Sequence, residues 1–335
     1  MNRKDVRNHN LKKIRSALRS MRQATKPQLA EHTGLSVMTV NTLVKILQEH
    51  GEVELMEDFL PSASEEGGRP ARQYRYLADR LLALVMCFYE EAGENRMELG
   101  VENLLGDIVS SEKVACHEVS QELLLETIRR YQENYPQLAL VMMGLPGVEV
   151  DGVMAVIDYP ALKGLRLREQ LEASTGLPIY LVNDINAAVS GYGMVLGQAV
   201  RQETVVGIYW PRNYPPGAGI LLNGNLYKGR DGLAGEISCA FDRSTCVPKE
   251  ITVEQVAEKI VSFVRFWNPH RIVLYHEGII PCMEAEIRSM CAVSLPERFM
   301  PDLILGRPLR EDYRRGVHAL AGKFLESLGK TGEDS

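Results

Sequence analysis

The stretch LAEHTGLSVMTVNTLVKIL, residues 29–47, predicts two short helices joined by a tight turn. Gly34 can adopt the positive φ that such a turn needs. Ser36 can cap the second helix, because its hydroxyl can accept a hydrogen bond from a free backbone N–H of the first turn. Apolar residues then recur at helical spacing and predict a buried face. They are Val40, Leu43, Val44 and Leu47.

The opposite face of the second helix is small, polar or basic, which suits the major groove of DNA. An ordinary helical hairpin is the alternative, and it would more often carry Glu/Lys pairs there. The turn, the cap and the outer face together favour a helix-turn-helix whose partner is a double-stranded DNA operator. The residues expected to face DNA are Ser36, Met38, Thr39, Asn41, Thr42 and Lys45.

Two short strands are predicted after this helix, over residues 52–56 and 73–77. A helix-turn-helix followed by such a pair is a winged helix-turn-helix. The polar loop between the strands contains the run GGRP, in which Arg69 could enter a narrow, A/T-rich minor groove. Arg72 would support it at the phosphates. The alternative for this loop is a flexible surface turn.

Charge is distributed unevenly along the chain. Residues 1–80, the predicted DNA-binding domain, hold 14 Lys/Arg against 10 Asp/Glu, whereas the rest of the chain holds 24 against 34. A basic head on an acidic body suggests a polyanionic partner for the head only. Basic side chains around a predicted helix over residues 10–21 could contact phosphates or form a solvated surface. They are Arg3, Lys4, Arg7, Lys12, Lys13, Arg15, Arg19 and Arg22.

Length and composition bound the class of protein. A chain of 335 residues can form two or three domains. The sequence has no apolar run of membrane-spanning length, and its basic N-terminus lacks the apolar core of a signal peptide. Six cysteines without close pairs are typical of reduced thiols. We therefore expect a cytoplasmic protein that does not associate with membranes.

Beyond residue 80 the pattern changes to alternating strands and helices. This alternation predicts an α/β body over residues 81–335, built from two mixed lobes with a cleft between them. The lobes would cover roughly residues 81–183 and 184–335. The main predicted elements are strands 82–89, 97–102, 107–114, 138–143, 179–182, 204–210, 219–223, 271–275 and 303–305, and helices 122–133, 165–175, 187–196, 253–267, 281–291 and 310–328.

Several motifs resemble the ROK family, named for repressors, open reading frames and kinases. The resemblance implies an actin-like, two-lobed sugar-kinase fold for the body and a winged helix for the head. The motifs are GGRPA at residues 67–71, GLPG at 144–147, NDINAA at 183–188, LNGNLYKG at 222–229 and GLAGEI at 232–237.

The resemblance also implies a sugar site. In family kinases, the aspartate that matches Asp184 acts as the base on a sugar hydroxyl. The residues that match Asn183 and Glu236 hydrogen-bond sugar hydroxyls, and Gly144 and Gly147 belong to the family's Gly-x-Pro-Gly turn. We expect all five at a ligand site. The alternative is that Asp184 and Glu236 persist only as cleft residues or helix caps.

The nucleotide-binding elements of the family kinases are not matched. In place of their Asp-x-Gly-Gly-Thr phosphate loop the chain reads MCFYEE at residues 86–91, whose carboxylates would repel phosphate. In place of Gly-Thr-Gly-Ile-Gly it reads NYPPG at residues 213–217, whose prolines lack amide donors. The late glycine region reads YHEG at residues 275–278. We therefore expect a pseudokinase body without enzymatic activity or a cofactor.

The family's zinc motif is not matched either. After Glu236 the chain continues through Cys239 to Cys246 without further nearby ligands. Because a structural zinc site needs about four N or S ligands, we expect no bound metal.

Together these features predict a transcriptional repressor of ROK type that forms a homodimer or tetramer and responds to a sugar or sugar phosphate. Two alternatives remain. One is an ATP-dependent sugar kinase. The other is a regulator without a small effector, which would respond to a protein partner.

Overall fold

The computed structural model describes residues 3–56, 72–211, 216–237, 251–276 and 281–329. The chain divides into two units, and the first is discontinuous in sequence. It comprises residues 1–81 together with the five-residue segment 103–107, and the second unit contains the remaining residues. The chain therefore passes between the units three times.

The described part of the first unit contains three α-helices and a three-stranded sheet. The strands lie in the order β1-β3-β2, and both pairs are antiparallel. β1 has no counterpart among the predicted strands, because three residues are too few to show a period. The helices are α1 (Arg3–Met21), α2 (Lys26–Thr33) and α3 (Val37–Glu49), and the strands are β1 (Gln23–Thr25), β2 (Val53–Leu55) and β3 (Gln73–Tyr76).

The turn between α2 and α3 uses the local chemistry that its sequence predicts. Gly34 has a φ of 70°, and the Ser36 hydroxyl accepts a hydrogen bond from the Thr39 amide at 3.2 Å. The four apolar residues of α3 that were predicted to be buried are all in the core of this unit.

Arg15 of α1 is buried, not part of the basic surface. Its guanidinium donates two hydrogen bonds to the Glu52 carboxylate, at 2.6 and 2.8 Å, and Arg80 lies 3.5 Å from the same carboxylate. The prediction that Arg15 could contact phosphate is therefore wrong, because its charge is neutralised inside the protein.

Two other arginines of the head bond to the segment 103–107. Arg19 donates to the Leu104 carbonyl at 2.7 Å. Arg22 forms an ion pair with Asp107, with N–O distances of 2.6 and 2.8 Å. These bonds attach the segment to α1 and to the residue that follows it.

Two five-stranded mixed sheets form the second unit, together with a separate hairpin of β8 and β9. In the first sheet, ordered β10-β7-β4-β5-β6, strands β10, β7 and β4 are parallel. In the second, ordered β13-β12-β11-β14-β15, strands β11, β14 and β15 are parallel. The strands are β4 (Leu82–Glu91), β5 (Glu94–Asn103), β6 (Ile108–Cys116), β7 (Leu138–Gly144), β8 (Gly147–Val150), β9 (Val153–Ile157), β10 (Ile179–Val182), β11 (Thr204–Tyr209), β12 (Gly217–Leu222), β13 (Asn225–Leu226), β14 (Arg271–Tyr275) and β15 (Asp302–Ile304).

Six α-helices of the second unit are described. α4 and α5 pack on the first sheet, and α7 and α8 pack on the second. α6 and α9 pack on each other between the two sheets, with α9 against β4 and β7 and α6 against β11 and β12. Their bounds are α4 (Gln121–Asn134), α5 (Leu167–Thr175), α6 (Asp184–Leu196), α7 (Val253–Trp267), α8 (Glu284–Ala292) and α9 (Leu309–Leu328).

The contact between α6 and α9 depends on glycine. A Cβ atom on Gly316 of α9 would overlap with the carbonyl oxygen of Ala187, and one on Gly191 of α6 would overlap with that of Asp312. The two backbones thus approach more closely than any larger residue at these positions allows.

The β8–β9 hairpin was not predicted, although its sequence carries a strong signal. Asp151 and Gly152 form its turn, with φ values of 51° and 79°. Asp-Gly is a favoured pair for such two-residue turns. The strands are short, so the turn residues are a clearer indication than the apolar pattern.

Two findings bear on the predicted class of protein. No helix among the described ranges is long and apolar enough to cross a membrane. Four of the six cysteines are described, and all four are free thiols: Cys87, Cys116, Cys282 and Cys291.

Candidate functional site

A cleft of about 750 Å³ opens in the second unit. Its walls come from the carboxyl ends of β4, β11 and β14 and from the first residues of α6 and α9. Ligands of α/β proteins commonly bind at the carboxyl ends of parallel strands, because side chains from separate elements converge there. The cleft is therefore the candidate ligand site.

Asn183 and Asp184 line the cleft at the junction of β10 and α6. The Asn183 side-chain oxygen caps α6 by accepting a hydrogen bond from the Asn186 amide at 2.8 Å. Asp184 lies in the first turn and accepts from the Ile185 amide at 2.8 Å. The positive end of the helix dipole favours a carboxylate at this place. Both side chains thus accept hydrogen bonds from the first turn of α6 and also line the cleft.

Glu236 also lines the cleft, and Gly235 positions its backbone. Gly235 has a φ of 95°, and its carbonyl accepts from the Ala218 amide of β12 at 2.7 Å. A Cβ on Gly235 would overlap with the Ala218 carbonyl oxygen. Only glycine lets this segment pass so close to β12, which holds the Glu236 backbone at the cleft.

We expect Gly235→Ala to destabilise the second unit by about 3 kcal/mol, because it combines a left-handed backbone with overlap against β12. Urea unfolding followed by tryptophan fluorescence measures this loss. Gly232→Ala is the matched control: Gly232 has a φ of 80°, but its nearest neighbour for a Cβ is 3.5 Å away. If both variants lost the same stability, the close approach of Gly235 to β12 would not be what requires glycine at this position.

Of the two predicted turn glycines, Gly147 lines the cleft and Gly144 does not. A Cβ on Gly144 would overlap with the ring and hydroxyl of Tyr313 on α9. Gly144 therefore makes room for α9 beneath the cleft, and its carbonyl accepts a hydrogen bond from the Tyr313 hydroxyl.

Tyr313 joins the floor of the cleft to the end of β4. Its hydroxyl accepts from the Phe88 amide at 3.1 Å. Complete burial raises the pKa of Tyr313 well above its ordinary value. The hydroxyl is therefore a neutral structural group at physiological pH.

Arg310 neutralises part of the acidic segment at the end of β4. Its guanidinium lies 2.6 Å from the Glu91 carboxylate and 3.8 Å above the centre of the Tyr89 ring. The hydrogen bond from Arg310 lowers the pKa of Glu91, so this carboxylate stays ionised. The expectation that both Glu90 and Glu91 would repel phosphate needs correction, because the charge of Glu91 has a partner.

Arg307, the second arginine among the described lining residues, is also paired. It forms an ion pair with the fully buried Asp312, to which Tyr275 donates a hydrogen bond at 3.0 Å. Burial, and then the Asp312 charge, raise the pKa of Tyr275. Arg307 is therefore held against α9 and β14.

The other predicted nucleotide segments are only partly described. Pro216 and Gly217 line the cleft, as do Tyr275 and His276. Residues 213–215 and 277–278 lie outside the described residues. The described part of the first segment places Tyr89, Glu90 and Glu91 at the cleft, where the family kinases carry a glycine pair.

Sequence reasoning missed several residues that the cleft brings together. Arg310 was assigned only to the start of a helix and Arg307 to no element, and their carboxylate partners could not be inferred from local patterns. The Arg310–Glu91 pair joins residues 219 positions apart. The other missed lining residues include Asp158, Tyr159, Tyr209 and Trp210.

A metal site is not found among the described residues, which contain no cluster of three or more His, Cys, Asp or Glu side chains able to hold an ion. Cys239 and Cys246 lie outside those residues.

The outer face of α3 is the second candidate site. Met38, Asn41, Thr42 and Lys45 are exposed, and they follow one another at helical spacing. Thr39 is half-buried, and its hydroxyl lies 2.9 Å from that of the exposed capping residue, Ser36. Arg72 is exposed, whereas Arg69 lies outside the described residues.

Comparisons with known sequences relate the chain to one family. The ROK family profile matches residues 91–246. An N-acetyl-D-glucosamine kinase of Vibrio atlanticus (strain LGP32) is 30% identical over 158 residues, which are 44% of this chain and 50% of the kinase. A xylose repressor of Bacillus subtilis (strain 168) is 22% identical over 230 residues, 64% of this chain and 55% of the repressor. The chain thus spans about half the length of these relatives.

Solved structures share the fold. A ROK family transcriptional regulator, a homologue of the E. coli MLC protein, aligns with a TM-score of 0.60 and 17% identity, over 92% of this chain and 94% of the regulator. A ROK hexokinase from Thermus thermophilus aligns with a TM-score of 0.52 and 19% identity, over 74% of this chain and 99% of the hexokinase. The body therefore has the actin-like fold of ROK sugar kinases, and the chain carries a ROK family domain.

Proposed function

We propose that this protein is a DNA-binding transcriptional repressor of ROK type whose cleft binds a sugar. The observation that carries the proposal is the combination, in one chain, of a sugar-kinase-like body and a capped helix whose exposed outer face is uncharged over its first two turns. In that body, the first phosphate segment holds a tyrosine and two glutamates. The repressor among the relatives is consistent with this function.

The first unit serves as the DNA-binding head, a winged helix-turn-helix. α2 and α3 supply the helix-turn-helix, β2 and β3 the base of the wing, and the residues that would form its tip lie outside the described residues. Exposed Asn41 and Lys45 suit base edges and phosphates. Such heads bind paired half-sites about one DNA turn apart, which supports a homodimer or tetramer.

The charges of the cleft favour an uncharged sugar over a sugar phosphate. Among the described lining residues are five carboxylates and two arginines, and both arginines are paired, Arg307 with Asp312 and Arg310 with Glu91. Neither guanidinium is therefore available to bind a phosphate group. Sugar hydroxyls, by contrast, suit the carboxylates and the amide. The lining carboxylates are Glu90, Glu91, Asp158, Asp184 and Glu236.

An ATP-dependent sugar kinase is the second candidate function. Asp184 at the place of the family's base and the 30% identity to an N-acetyl-D-glucosamine kinase favour it. Against it, phosphoryl transfer depends on positioned donors around the phosphates. Each lost donor to a developing anion costs on the order of 10²–10³ in rate. The segment at Glu91 lacks the glycine pair, and the segment at Pro216 has prolines, which have no amide hydrogen to donate. A regulator that has no small effector is the remaining alternative.

The full-length chain tests this function with a duplex that it selects from a random DNA library. We expect the double variant Asn41→Ala/Lys45→Ala to lose at least about tenfold in affinity, since both a base contact and a phosphate contact are removed. A panel of pentoses, hexoses and N-acetylhexosamines should contain a sugar that changes DNA affinity. Asp184→Asn should abolish that response and leave DNA affinity without sugar unchanged.

The same panel with ATP tests the kinase. We expect no turnover above background. Saturable ATP turnover that disappears in Asp184→Asn would overturn the proposal and establish the kinase. Failure to select any duplex would also contradict the regulator.

A further inference from the structure

The first turn of α3 presents apolar side chains to the surface. Met38 is 80% exposed and Val37 is 49% exposed. Met38 is the most exposed large apolar side chain among the described residues of the first unit. Because Met38 lies on the outer face of α3, a partner surface that covered it would gain the free energy of burying this apolar side chain.

The surroundings of Met38 indicate the chemistry of that partner. The charged side chains of α3 are Lys45 and Glu49, which lie 3.7 Å apart as an i,i+4 ion pair in its last turns. The first two turns of the outer face carry Met38, Asn41 and Thr42, which offer apolar, amide and hydroxyl groups and no charge. They suit a partner that presents hydrogen-bonding groups beside small apolar groups.

The major groove of DNA has this combination, because thymine is the base that carries a methyl group at its edge. In a helix-turn-helix, the N-terminal residues of the second helix reach the base edges. Met38 occupies that turn, whereas Lys45 lies two turns later, where phosphates are closer. The apolar residues therefore lie where a base-reading contact is made.

The local backbone holds Met38 in place. The Ser36 cap fixes the start of the helix, and the Thr42 hydroxyl donates to the Met38 carbonyl at 3.2 Å. The side chain itself remains flexible, which lets it adapt to a methyl group without strain.

We infer that Met38, flanked by Val37, reads thymine in each operator half-site through van der Waals contact with the thymine 5-methyl group. This inference rests on the proposed DNA-binding function and specifies the base that the head recognises. It places a thymine opposite the first turn of α3.

The experiment replaces single thymines by deoxyuridine, which lacks only the methyl group. The full-length protein first selects a duplex from a random library, and each thymine of that duplex is then replaced in turn. We expect one or two thymines per half-site at which the wild-type affinity falls about three- to fivefold, the loss expected for one buried CH₂-sized group. Met38→Ala should bind the thymine and uracil duplexes equally.

Val6→Ala is the matched control, because Val6 is an exposed apolar residue of the same unit, 41% accessible, that lies on α1. This variant should keep the full sensitivity to uracil. The thymine contact would be refuted if no replacement changed the wild-type affinity, or if Met38→Ala kept the full sensitivity to uracil. Either result would leave the DNA-binding function intact. Failure to enrich any duplex would instead overturn the proposed function and the contact together.

Discussion

Gly316→Ala is expected to lower the free energy of unfolding of the second unit by about 3 kcal/mol. At this position a Cβ would overlap with the Ala187 carbonyl of α6, so α6 and α9 must separate. Overpacking of this kind typically costs about 1–3 kcal/mol. We expect the upper end of this range because the overlapping atom belongs to the backbone, which cannot change rotamer as a side chain can. Asp184 lies at the start of α6 and Arg310 at the start of α9. Separating the two helices would move these side chains apart, so ligand affinity should fall together with stability.

Gly322→Ala on the same helix is the control. No atom lies within 4 Å of a Cβ placed there, and alanine favours a helix over glycine by about 1 kcal/mol. This variant should therefore be neutral or more stable. Both tryptophans, Trp210 and Trp267, belong to the second unit, so fluorescence during urea unfolding reports on this unit. Equal stability of the two variants would contradict the close helix contact.

Glu52→Gln is expected to destabilise the first unit by about 3–5 kcal/mol, the usual loss when one partner of a buried ion pair is removed. Arg15 and Glu52 are only 8% and 2% exposed. The substitution would leave the Arg15 guanidinium buried beside a neutral amide. Hydrogen exchange in α1 and α3 should accelerate strongly, and DNA binding should be lost.

The neighbouring pair of Glu54 and Arg75 supplies the matched comparison. It joins Glu54 of β2 to Arg75, but the two side chains are 39% and 56% exposed. Exposed pairs contribute less than about 1 kcal/mol, so Glu54→Gln should leave exchange nearly unchanged. Tryptophan fluorescence should be the same for both variants. A similar effect of the two substitutions would mean that burial does not distinguish the pairs.

Helices and turns that are determined by residues close together in the sequence, such as a cap or an apolar repeat, were predictable. α7 has the predicted bounds, Val253–Trp267, because Thr252 caps it and its apolar face repeats at helical spacing. Gly34 and Ser36 set the α2–α3 turn for the same reason. Short strands such as β1 gave no comparable pattern.

Pairings between distant residues were not predictable. In the sequence, Arg15 looks like one more basic residue of a polar helix. In the structure it is buried because it pairs with Glu52, 37 positions later. Arg310 likewise meets Glu91 only because α9 returns to the end of β4. Charge patterns along one helix carry no information about carboxylates on another element.

The candidate cleft was located by resemblance more than by local chemistry. Asn183, Asp184, Glu236 and Gly147 all line it, whereas Gly144 supports α9. Two glycines of one motif thus have different surroundings, and spacing alone could not separate them.

The discontinuity of the first unit affects how such heads can be exchanged between proteins. A recombination that replaced only residues 1–81 would leave behind the segment 103–107, which belongs to the same compact unit. Arg19 and Arg22 would then meet a foreign turn in place of Leu104 and Asp107. A chimera that keeps these contacts must carry both residues 1–81 and residues 103–107. Two separate parts of the gene must therefore be transferred together.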